Sequence, residues 1–77
     1  MNKLRRKALD ALIERIDDIY SELEALADEE RDYRDNMPEN LQNSERYEAA
    51  DNAVSSLEDA LDNLDSAKSS IEEAIDG

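Results

Sequence analysis

"NMPENLQNSERY", residues 36–47, interrupts a chain that otherwise reads as helix from end to end. It contains the only proline, set among Asn36, Asn40 and Asn43, residues that favour turns because their side chains bond nearby backbone. Pro38 has no N–H to donate and disfavours helix in the residue before it, so a helix arriving from the N-terminal side ends near Arg34. On the other side Ser44 is a good N-cap, and Glu45 and Glu48 place acids in a first turn whose dipole favours them. The stretch therefore predicts a helix over about 3–34, starting within residues 2 to 5, a connection over 35–43 and a second helix over 44–76, all in one domain spanning 1–77. Two helices of about 45–50 Å joined by a short connection imply an antiparallel hairpin.

The apolar residues on both sides agree. With Leu9 at heptad position a, Leu9, Leu12, Ile16, Ile19, Leu23 and Leu26 fill successive a and d seats. In the second half Tyr47, Ala50, Val54, Leu57, Leu61, Leu64, Ile71 and Ile75 do the same, with Lys68 the one charged exception. "SSLEDALD" at 55–62 recurs as "SSIEEAID" at 69–76, an offset of two whole heptads, so both copies present one face to one side. Ala53, Ala60, Ala67 and Ala74 share position g, a file of small side chains along which another helix can approach closely. Ile13, Tyr20 and Ala27 at position e widen the stripe of the first helix. Three apolar rows suit a bundle better than a two-stranded seam.

Charged residues make up 40% of the chain and the net charge is −13. Lys3, Arg5, Arg6 and Lys7 concentrate four positive charges at the start; with −13 overall, the remaining residues carry −17. Such a surface repels nucleic acid and anionic lipid and attracts a basic partner, so direct nucleic-acid or membrane binding is not expected. The start has no continuous apolar run, which argues against a signal peptide or a membrane span and for a cytoplasmic protein. The early bases and Glu72, Glu73 and Asp76 at the far end both oppose their own helix dipoles. Antiparallel folding about residue 40 brings these clusters together, with Arg5 near Ile75, and sets Leu26 opposite Val54, Ile19 opposite Leu61 and Leu9 opposite Ile71. A lone pair of helices leaves each stripe half wet, so self-association into a homodimeric four-helix bundle is expected.

For the corner itself the sequence predicts a turn over 36–40, with Leu41 reaching back to close the core and Tyr33 and Tyr47 flanking it as an aromatic plug. A second reading makes Tyr33, Arg34, Arg46 and Tyr47 a contact surface for a partner, because tyrosine and arginine are enriched at binding hot spots.

Catalytic and metal chemistry finds little support. Without histidine or cysteine there is no disulfide, no imidazole base and no Glu-x-x-His pair of the kind that builds a di-metal bundle. Read as an EF-hand, "DNMPENLQNSER" has Met37 where a ligand belongs and Asn40 where glycine is required. Ser55, Ser56, Ser69 and Ser70 have no base to activate them, and Lys68 reads as a snorkelling stem or a register device. No catalytic residue, no metal ligand and no cofactor is expected, and the protein reads as a non-enzyme.

Acids on an exposed helix face usually do no more than solvate it. Their density here allows another use, since −13 over a rod of about 50 Å is roughly one charge per 4 Å, and a side-by-side dimer approaches one per 2 Å against about 1.7 Å for duplex DNA. The run Glu58, Asp59, Asp62 and Asp65 is the candidate face for such mimicry.

The stretch "NMPENLQNSERYEAADNAVSSLEDALDNL", with its Asn-x-Pro-Glu-x-Leu-Gln-x-Ser-x-Arg-Tyr centre, resembles small acidic helical proteins of phages, prophages and mobile elements of Gram-positive bacteria. The resemblance spans most of the chain, and Pro38 to Tyr47 is its more specific part. It implies a phage or mobile-element setting in the host cytoplasm and nothing catalytic, and it carries over no functional residue. The expectation from sequence is a homodimeric protein-interaction module whose partner is a basic host or phage protein. The alternative is an inhibitor that mimics nucleic acid to block a host defence or DNA- or RNA-binding protein.

Overall fold

A computed structural model describes residues 1–77. The chain forms α1 (Lys3–Asp35), a single 3-10 turn (Glu39–Leu41) and α2 (Glu45–Asp76), with no strand. α1 begins where Asn2, in extended backbone, accepts the Arg5 N–H on its side-chain oxygen at 2.7 Å, satisfying one of the donors that a helix start leaves unpaired. Its last turn holds Arg34, which the dipole favours, and the Asn36 N–H closes it by donating to the Asp32 carbonyl at 2.9 Å. Pro38 then takes an extended conformation that no helix can continue. Leu41 donates to the Pro38 carbonyl and Gln42 to that of Glu39, which carries the chain round, and Ser44 caps α2 by accepting the Tyr47 N–H at 3.3 Å. No residue has a positive φ, so the corner turns without glycine and without a left-handed step.

The hairpin is a rod of 59 × 16 × 12 Å, with a radius of gyration of 17.5 Å against about 12 Å for a compact chain of this length. Only Ala27, Met37, Ala50, Val54 and Leu61 are buried, 5 of 77 residues, and all lie between the corner and the middle of the rod. Toward the free ends Leu9, Ile13, Ile16, Leu64, Ile71 and Ile75 face the seam but stay half-buried. Neither helix is long and apolar enough to cross a membrane.

α2 packs through the rows its heptads predict: Tyr47, Ala50, Val54, Leu57, Leu61 and Leu64 are all buried or half-buried. α1 does not. Its seam uses Leu9, Ile16 and Leu23 together with Ile13, Tyr20 and Ala27, while the expected d seats Leu12, Ile19 and Leu26 remain 41%, 49% and 57% exposed. The helix is rolled about its axis so that the row flanking the stripe enters the seam. The roll carries Asp17 and Arg31 to the helix–helix boundary, where each meets an opposite charge on α2. The earlier matching of Leu26 with Val54 and Ile19 with Leu61 therefore gives way to contacts from the e row.

The corner also differs from expectation. Met37, 7% exposed, closes the end of the core, and Leu41 lies at the surface with 36% exposed. Pro38 in extended backbone turns the following residues outward, leaving the long flexible methionine side chain as the one that reaches in. Tyr33 is exposed and only Tyr47 is half-buried, so the two do not form a plug.

Candidate interaction surfaces

The roll of α1 divides the hairpin into two unlike edges. On one flank of its seam α1 presents Asp17 and Arg31, and on the corresponding flank α2 presents Asp51 and Glu58. Here the ion pairs form. Lys68 Nζ donates to Asp17 at 2.7 Å, Arg31 to Glu58 at 3.0 Å and Arg34 to Asp51 at 2.9 Å. Arg31 is also held by Asp28 and Arg34 by Asp35, so each guanidinium is shared between its own helix and the other. These pairs run antiparallel along the seam and have partly exposed side chains. Their carboxylates raise the proton affinity of the bases: Asp17 acts first on Lys68, Glu58 on Arg31 and Asp35 on Arg34. Lys68, seated in an otherwise apolar row, lays its stem along the seam and places its charge at the rim. Tyr20, also at this rim, is pushed above 10.0, chiefly by the negative charge of Asp65, then by burial and by Glu24 and Asp62.

Because Arg31 and Glu58 join the charged flanks, the two remaining flanks lie together on the opposite edge. From α1 this edge receives Leu12, Ile19, Leu26 and Tyr33, a row spaced by seven whose four members are 41% to 57% exposed. From α2 it receives the alanine file, with Ala53 and Ala60 half-buried and Ala67 and Ala74 exposed. No ion pair crosses it. Heptad reasoning placed Leu12, Ile19 and Leu26 inside the hairpin and so missed this surface. The signal was present in the third apolar row of α1, which exceeds what one neighbouring helix can cover.

The tip with both chain ends is exposed, Leu4 included at 81%, and its charges are unpaired. Lys3, Arg5, Arg6 and Lys7 form no ion pair, so the anticipated contact with Glu72, Glu73 and Asp76 is not made. Long side chains at a solvated end keep their rotamer freedom instead.

Of the residues suggested as a corner contact surface, Arg34 is committed to Asp35 and Asp51 and Tyr47 is half-buried on α2. Tyr33 stands on the apolar edge, and Arg46 lines a shallow open depression with Leu41, Ser44 and Glu45. The four do not all face one way. Of the acidic run, Glu58, Asp59, Asp62 and Asp65 are all exposed; Glu58, Asp62 and Asp65 share one helix face at spacings of four and three, and Glu58 is the one engaged by a base. No three acids converge closely enough to hold a metal ion. Comparison with protein families, with curated proteins and with solved structures yields no match.

Proposed function

We propose that this chain is a non-enzymatic, acidic protein-interaction module that dimerises into a four-helix bundle, and that it serves as a cytoplasmic accessory protein of a phage or mobile element. The observation that carries the reading is the row of Leu12, Ile19, Leu26 and Tyr33, left 41% to 57% exposed along an edge free of ion pairs. A row of large apolar side chains in water costs free energy that a second hairpin recovers by covering it. Once the bundle forms, the acids of α2 remain outside and give it faces suited to a basic host or phage protein. The phage setting rests on the resemblance carried by Pro38 to Tyr47.

The test is the mass in solution. Sedimentation equilibrium at low micromolar concentration is expected to give twice the 8.7 kDa of the chain; a folded species of single mass overturns the reading.

The second reading, mimicry of nucleic acid, is favoured by the shared exposed face of Glu58, Asp62 and Asp65. It requires a target whose binding falls steeply with salt and is displaced by DNA or RNA. Replacing Glu58, Asp59, Asp62 and Asp65 by their amides abolishes that binding if mimicry is the function. In the module the same change alters solubility and leaves the dimer intact.

A further inference from the structure

The unlike edges also say how a second copy lies on the first, an inference that rests on the dimer proposed above. Two chains of net charge −13 repel one another, so they can meet only where that charge is absent or answered. α2 offers such a strip. It carries ten acids, yet beside the file of Ala53, Ala60 and Ala67 its next row outward holds Ser56 and Asn63 and no charge. Small uncharged side chains permit close approach of a second helix without setting acid against acid.

α1 supplies the direction. Its apolar row begins with Arg5, one heptad before Leu12, and its outer flank reads Arg15 and then Glu22 and Glu29. Bases thus precede acids along the exposed edge. Arg5 and Arg15 have no partner within the chain. Laid head to head on itself about an axis along the helices, this flank would meet the partner's row of Leu9, Ile16 and Leu23 and leave Arg15 and Glu22 unanswered. Laid on the α2 of a second copy, its charges would meet the uncharged Ser56 and Asn63 row and go unanswered. Reversed on itself, Arg15 of each copy meets Glu22 of the other, while Glu29 falls beside the uncharged Ala8.

We propose that the two hairpins lie antiparallel, the corner of one beside the free ends of the other, with α1 packed on the partner's α1 about a two-fold axis at Ile19. Leu12 then covers the partner's Leu26, Arg15 reaches the partner's Glu22, and Arg5 comes over the partner's Tyr33, where a cation over an aromatic face is favourable. The same axis sets α2 on the partner's α2 near Ala60, alanine against alanine. Each contact occurs twice, as an isologous interface requires.

The chain has no cysteine, which makes single-cysteine cross-linking clean. Ile19→Cys is expected to give a covalent dimer on mild oxidation. Leu12→Cys and Leu26→Cys are each expected to remain uncrosslinked alone and to join when the two variants are mixed and re-equilibrated. A dimer in which Leu12→Cys links to itself, or in which Ile19→Cys links to Ala60→Cys rather than to itself, overturns the arrangement while leaving the dimer standing. A monomeric mass for the unmodified protein overturns both.

Charge reversal provides an independent check on proteins whose fold is untouched. Arg15→Glu and Glu22→Arg should each weaken dimerisation by about tenfold, since two exposed pairs turn repulsive, and the double variant should recover the parental affinity. Failure of the double variant to recover overturns the antiparallel contact.

Discussion

Along one edge of the hairpin Asp17, Arg31 and Arg34 reach Lys68, Glu58 and Asp51; along the other Leu12, Ile19 and Leu26 stay 41%, 49% and 57% exposed. Both edges are drawn from the same two helices and flank the same seam. The difference separates two demands on so thin a structure. Ion pairs with partly exposed side chains stabilise little, but they discriminate between ways of rolling one helix on the other, because a wrong roll leaves charges beside apolar side chains. The apolar edge is only about half covered in the isolated hairpin, so much of what its side chains could contribute is left in water. One edge orients the two helices, and the other is the surface that the proposed dimer would cover.

That division can be broken from the seam outward. Val54, 2% exposed, is the most completely buried large side chain, and Val54→Asp is expected to cost at least about 3 kcal/mol and to unfold the hairpin, taking both edges with it. Loss of far-ultraviolet helical signal at room temperature reports this. Leu12→Gln with Leu26→Gln should leave the helical signal of the hairpin in place while weakening association by about tenfold to a hundredfold, read by sedimentation. If the pair instead melts the hairpin, those side chains belong to its core and the contrast between edges disappears.

The charged edge should respond far less. Arg31→Ala and Arg34→Ala are each expected to lower the melting midpoint by no more than about 4 °C, with the difference vanishing at high salt. A larger fall would mean that these pairs hold the fold rather than orient it. The smallest effect concerns Tyr20. Its hydroxyl titrates above the ordinary 10.0 because ionisation would set a negative charge beside Asp65, at a half-buried site, with Glu24 and Asp62 near. A folded-state value above the unfolded one contributes stability that is complete below about pH 10 and lost as pH rises through the raised value. Lys68, held protonated by Asp17, changes in the same direction in the same alkaline range. Stability should therefore fall above pH 10, and Tyr20→Phe should flatten part of that fall in a pH series of thermal melts.

Much of the architecture was legible beforehand. Pro38, the cap at Ser44 and the uninterrupted heptads place two helices and a corner, and the observed bounds Lys3–Asp35 and Glu45–Asp76 lie within a residue of those expected. The seam of α2 was legible too, because only one pair of its rows is rich in large apolar residues. In α1 three rows are apolar, and periodicity alone does not say which two face the neighbour. The observed roll sets Asp17, Arg31 and Arg34 beside opposite charges on α2, a match between two helices that no window of a single helix contains. At the corner, Leu41 and Met37 are both apolar and adjacent to the turn, and only the direction taken after Pro38 decides between them.

Full burial is confined to the half of the rod nearer the bend, from Met37 and Ala50 to Leu61, and gives way to half-covered Leu9, Ile71 and Ile75 at the open end. Closing the chain at the bend ties together residues few positions apart, whereas joining the open end encloses nearly the whole polypeptide for a weaker return. The free hairpin should thus behave as a zipper, its amide protons exchanging slowest beside the bend and progressively faster toward the frayed tip. A second chain laid in reverse would fasten its own firm end over that loose one.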